Sequence, residues 1–153
     1  MRLVRPVLVL ALLCLARVST AHDWNDPEIR WRPLAAGLAE ARKSHKPVCV
    51  VVFTEWCPHC AAYAKLFRNP KLVEKSRRFV MVRIDKDKDR AAAAPFNIDG
   101  DYIPRTLFVR GNAVDPAIHA RRTKYLYFYD ERNPGDILGA MDQALAPPAK
   151  RRR

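Results

Sequence analysis

Metal ligands are sparse in this chain. It has four histidines and four cysteines in 153 residues, and His22, His45 and His119 are scattered. With neither a second Cys-x-x-Cys nor a His-x-x-x-His, it offers no four-ligand set for structural zinc. It also lacks the Met-rich or His-rich stretch that would accompany a copper carrier. The apolar run Pro6 to Ala16 is too short for an ordinary membrane span. Acidic residues are few, 16 against 28 Lys and Arg, for a formal net charge of +12. There is no internal repeat, and beyond residue 21 only Cys49, Cys57 and Cys60 remain, an odd count that fits one redox pair and a free thiol better than a disulfide-stapled scaffold.

What is present is Trp56-Cys57-Pro58-His59-Cys60. Two cysteines two residues apart can close a small disulfide ring and reopen it without moving a fold. The motif follows the β-branched run Val48-Cys49-Val50-Val51-Val52-Phe53 and precedes an Ala-rich stretch with helical spacing, Ala61 to Phe67. A strand should therefore deliver Cys57 to the first turn of a helix, where backbone N–H groups and the positive helix end favour a thiolate. Pro58 suits the first helical position, because it lacks only an N–H that would go unpaired. His59 can add positive charge beside the sulfur. Cys60 stands one turn on, close enough to resolve a mixed disulfide. In this context the motif reads as a dithiol redox site. A permanent structural disulfide is the weaker reading, since so short a loop constrains little of the unfolded chain. Cys57 is expected to be the exposed nucleophile, Cys60 its more buried partner, and Cys49 an inert core thiol.

Residues 1–21 read as a secretory leader: Arg2 and Arg5, an apolar core, then Ser19-Thr20-Ala21 before His22. They carry three arginines and no acid, so a mature chain keeps +9. A basic protein outside the cytosol meets acidic clients or anionic surfaces rather than nucleic acid. Lys150 to Arg153 follows Pro147-Pro148 and reads as a basic disordered tail over 147–153, which leaves one domain over 22–146. No KDEL-type ending is present. Along that domain the patterns predict a short strand at Ile29–Trp31, a helix through Leu34, Leu38 and Ala41, and a central strand over 48–54. The motif helix follows over 58–68, broken at Asn69-Pro70, and then a strand from Phe79 to Ile84. Asp85 to Arg90 reads as a solvated loop. A strand over Arg105 to Arg110 turns at Gly111-Asn112 into a return strand near Ala113 to His119. Arg121 to Glu131 is an aromatic insertion, and Asn133-Pro134-Gly135-Asp136 opens a last helix. That order yields a mixed sheet with helices on both faces.

Tyr102-Ile103-Pro104-Arg105, just before the third strand, resembles the cis-proline loop of the thioredoxin superfamily. The resemblance narrows over Asp99 to Phe108, Phe79 to Val82 and Lys124 to Tyr129, which are similar to thioredoxin domain-containing protein 12 and the anterior gradient proteins. It covers most of residues 24–146. It implies an α/β thioredoxin fold, with a central mixed β-sheet flanked by helices on both faces. It also implies a cis Ile103–Pro104 bond, with the Ile103 backbone pairing with an extended client and Trp56 beside it. The chain departs from the anterior gradient proteins in keeping both cysteines, and its Pro58-His59 pair resembles that of DsbA. Ordinary thioredoxins have a buried Asp where Val51 stands, and its Lys partner is replaced by Met81. Glu55 is the one substitute nearby, though a loop Glu ordinarily faces solvent.

The resulting expectation is an exported thiol–disulfide oxidoreductase that needs no cofactor or metal. Cys57 and Cys60 carry the exchange, and Pro58 and His59 tune it. Trp56, Ile103 and Pro104 meet the client. Its partners are protein thiols or disulfides and an unidentified redox partner, with no stable membrane span and a monomeric state. Lack of a retention signal favours a bacterial periplasm or the extracellular space over the endoplasmic reticulum lumen. Two other classes stay open: a client-binding chaperone or adaptor using the Tyr125–Tyr129 segment, and a copper metallochaperone using the two thiolates.

Overall fold

The computed structural model describes residues 21–147. The expected leader, apart from Ala21, and the expected tail, apart from Pro147, lie outside the described residues. Five strands form one sheet in the order β1-β3-β2-β4-β5. They are β1 (Trp31–Arg32), β2 (Val48–Phe53), β3 (Val80–Asp85), β4 (Arg105–Arg110) and β5 (Ala113–Val114). β1 and β2 each pair parallel with β3, while β4 runs antiparallel to β2 and β5 antiparallel to β4.

The all-apolar pattern of β2 has its reason in this layout. The strand is paired on both sides and covered on both faces, so all six residues are buried. Alternate residues feed two cores. Cys49, Val51 and Phe53 face the helices α2 (Pro58–Ala64), α3 (Pro70–Ser76) and α5 (Pro134–Leu145). Val48, Val50 and Val52 face α1 (Leu34–Ser44) and the short α4 (Arg90–Ala93). The α/β sandwich agrees with the expected fold class.

Element ends follow local chemistry. α1 stops at His45, which takes the left-handed conformation (φ 56°) while its N–H bonds Ala41 O. Asn69 caps α3 through Lys71 N, and Asn133 caps α5 through Gly135 N, each with a proline next. Boundaries differ from expectation at several points. The first strand is shifted to Trp31–Arg32, because Ile29 turns into the core instead. The motif helix tightens into a 3₁₀ turn over Lys65–Arg68 before Asn69. The return strand is only two residues long.

Gly37 is the close-approach point between α1 and β3. A Cβ there would collide with Val82 Cγ2 and stand 3.4 Å from Arg32 Cβ. Gly37→Ala should therefore force α1 off the sheet and cost about 1–3 kcal/mol. The expected reading is a lower urea midpoint with an unchanged m value; an unshifted midpoint would show that α1 can move freely.

Candidate active site

The site forms where β2 ends. Cys57 N–H reaches back to Thr54 O at 3.4 Å, and the chain enters α2 with Cys57 as its N-cap. Cys60 N–H points at Cys57 Sγ, 3.3 Å away. An N–H aimed at sulfur favours the anionic form of that sulfur. Pro58 occupies the first turn and His59 projects outward, its side chain 61% exposed.

Cys57 is less accessible than expected. Only 4% of it is exposed, because it joins the same apolar cluster that Ile103 packs against. Cys60 lies deeper still, with no exposure. Burial pushes the Cys60 thiol well above the ordinary cysteine range. A backbone hydrogen bond from Thr54 opposes this, and the nearby Cys57 and the Glu131 charge add to it. Cys49 is buried in the sheet, and burial alone pushes its thiol up strongly. Among the described residues, Cys49, Cys57 and Cys60 are all free thiols.

The cis-proline loop arrives from the other side. The β2–β4 register sets Val52 opposite Arg105, so Pro104 lies at the sheet end from which Thr54 to Cys57 departs. The Ile103–Pro104 peptide bond is cis. Pro104 is buried and Ile103 half-buried. Trp56 is 71% exposed, with Nε1 donating to Asp87 Oδ2 at 2.7 Å. Asp85 to Arg90 is thus not a merely solvated loop: Asp87 holds Trp56, and Lys86 pairs with Asp101 at 2.6 Å.

The aromatic insertion closes the site. Tyr127 and Tyr129 are buried, one in each core cluster, while Tyr125 is 56% exposed against the Tyr102 ring. Tyr102 OH donates to Asp99 and accepts from Tyr127 N–H at 2.9 Å, and Asp99 also accepts from Leu126 N–H at 2.7 Å. Further along, both Glu131 oxygens stand 2.9 Å from His59 Nδ1, and Phe128 meets the His59 ring edge-on. Asp87, Asp99 and Glu131 were not singled out from the sequence. Asp87 reaches across 31 residues of chain to Trp56, Asp99 across 27 to Leu126 and Glu131 across 72 to His59, and no spacing signals that. Among the described residues, no group of three or more His, Cys, Asp or Glu is arranged to hold a metal ion.

A family model described as Thioredoxin-like matches residues 30–111. Anterior gradient protein 3 of Mus musculus is 32% identical over 129 residues, covering 82% of this chain and 76% of the relative. The chain belongs to the thioredoxin-like family. Anterior gradient protein 2 homolog of Homo sapiens is 28% identical over 127 residues, covering 82% of this chain and 71% of that protein. A thioredoxin from Thermus thermophilus superposes with a TM-score of 0.60 at 20% identity, covering 77% and 88% of the two chains. At that identity the likeness is one of fold.

This thioredoxin-like chain keeps an apolar interior beneath its sulfurs. Val51 and Met81 are both buried, with Cys49 opposite Met81 in the register. Glu55 accepts a hydrogen bond from His22 N–H at 2.9 Å. It is engaged at the loop surface rather than in the core. Because Cys49 is sealed among apolar residues, Cys49→Ala should leave thiol exchange intact. In the folded, reduced protein, iodoacetamide should label Cys57 first and Cys49 last by mass spectrometry; early labelling of Cys49 would mark it as a third reactive thiol.

Proposed function

We propose that this protein is a thiol–disulfide oxidoreductase of protein clients, working by exchange at Cys57 and Cys60. The observation that carries this reading is the Cys60 N–H aimed at Cys57 Sγ at the helix start. It makes Cys57 the sulfur best able to carry charge, while burial keeps Cys60 a thiol. In the reducing direction, Cys57 thiolate attacks a client disulfide and forms a mixed disulfide. Cys60 then attacks Cys57 Sγ, which releases the client thiol and closes the Cys57–Cys60 bond. In the oxidising direction a client thiolate attacks Cys57 Sγ and Cys60 leaves. Trp56 and the Ile103–Pro104 backbone flank the path by which an extended client would come.

When His59 carries a second proton it stabilises the thiolate and with it the reduced state, so the disulfide is the more oxidising for it. Thioredoxin lies near about −270 mV and DsbA near about −120 mV. The Pro58-His59 pair argues for the oxidising half of that interval. The basic leader-like start supports an exported protein, acting in a periplasm or outside the cell. For an adaptor role, the supporting feature is Tyr125. Its neighbours Tyr127 and Tyr129 are used in packing, which leaves the thiol chemistry as the better supported activity.

Two measurements test this. Wild-type protein should catalyse insulin reduction by dithiothreitol, and Cys57→Ser should abolish it; equal rates would end the reading. Glutathione titration should place the reduction potential of His59→Pro below that of wild type by tens of millivolts, where about 30 mV corresponds to 1.4 kcal/mol for this couple. An unchanged potential would leave helix placement as the sole source of activation.

A further inference from the structure

The oxidoreductase reading leaves one chemical problem open. A client cysteine is only a few per cent thiolate at pH 7, yet the attacking species must be the thiolate. Something beside Cys57 has to take that proton if exchange is to run fast at neutral or acidic pH.

The exposed side of the first turn of α2, two residues on from Cys57, holds such a group. Glu131 presents both carboxylate oxygens to His59 Nδ1 at 2.9 Å. A carboxylate can only accept, so Nδ1 carries the hydrogen, and in the neutral ring the lone pair is at Nε2. The ring is held on a second side by Phe128, edge-on at 5.8 Å between centroids. Among the described residues it makes no hydrogen bond other than to Glu131. Its side chain is 61% exposed while that of Glu131 is 18% exposed, so the carboxylate lies behind the imidazole. Arg122 stacks over Phe128 at 5.0 Å, and Asp130 and Arg132, on either side of Glu131 in the chain, pair with each other at 3.7 Å. Asp87 is taken up by Trp56. His59 is two residues beyond Cys57 on the same helical turn.

We propose that His59 Nε2 is the general base for the incoming client thiol and that Glu131 is the positioning residue that orients it. The proposal rests on the oxidoreductase reading above. The proton passes from the client S–H to Nε2, and the imidazolium is held against Glu131. The client sulfur bonds to Cys57 Sγ, the Cys57–Cys60 bond breaks, and Cys60 takes a proton from solvent to become a thiol. The imidazolium returns its proton to solvent. A second client thiol then displaces Cys57, so the client dithiol gives up two electrons and two protons to the Cys57–Cys60 pair. In the reducing direction the same imidazolium protonates the departing client sulfur.

The test follows the reduction of the oxidised full-length protein by glutathione from pH 6 to 9, by acid quench and alkylation. Wild-type rates should fall less steeply toward low pH than the glutathione thiolate fraction. Glu131→Gln should follow that fraction, about tenfold slower at pH 6.5, short of the roughly 10²–10⁴-fold that general acid–base catalysis can supply. The gap should shrink toward pH 9, where the thiolate is already formed. His59→Gln, at an exposed position, should show the same loss, and the double variant no more than either. A Glu131→Gln profile parallel to wild type at every pH overturns the proposal and leaves the oxidoreductase reading standing. A wild type that does not react with glutathione at any pH overturns both.

Discussion

One contact does two jobs at the centre of this protein: the Cys60 N–H that points at Cys57 Sγ. As a cap it satisfies a donor that the first turn of α2 would otherwise leave unpaired. As an electrostatic contact it favours negative charge on that sulfur. The two roles are linked. A disulfide sulfur is a poorer acceptor than a thiolate, so α2 is better capped in the reduced protein. Whatever stabilises the dithiol state relative to the disulfide makes the disulfide the stronger oxidant. Helix stability and redox poise therefore draw on the same interaction, and both depend on β2 ending where it does.

The second constraint is the aromatic insertion, which acts as a brace across the sheet edge. Tyr127 enters the core on one face and Tyr129 the core on the other, so the segment cannot slide without emptying both. Asp99 and the Tyr102 hydroxyl accept hydrogen bonds from the backbone N–H groups of Leu126 and Tyr127. A partly buried polar network of this kind rigidifies when its members are satisfied, and Tyr102 OH has both a donor and an acceptor to meet. The loop leading into Ile103–Pro104 is thereby fixed to the same segment that carries Phe128 and Glu131 to His59. Two halves of the site, distant in sequence, share one support.

Much of this was legible from local chemistry. The six apolar residues of β2, Cys57 before Pro58, and the Asn69-Pro70 and Asn133-Pro134 starts all carry their structural instruction within a few residues. What was not legible acts through space. The Asp87 contact with Trp56 joins residues 31 apart, and the Glu131 contact with His59 joins residues 72 apart. A surface Glu or Asp reads as solvated unless the partner is known. The accessibility of Cys57 was misjudged for a related reason. Helix position is written in the local pattern, whereas the cover provided by the cluster around Ile103 is a tertiary fact.

The apolar pair Val51 and Met81 shapes how the two sulfurs differ. With hydrophobic side chains at these buried positions, desolvation is the largest influence on Cys60, and its thiol is pushed up. Glu131, approaching from the surface, pushes in the same direction. Cys57 sits one turn earlier, at the rim, with the Cys60 N–H turned toward it. In the proposed exchange, this directs charge to the sulfur that a client would meet and withholds it from the one that attacks or leaves second. In this chain the asymmetry arises from depth and from one backbone donor, and the ionisable groups that serve the site lie on its surface.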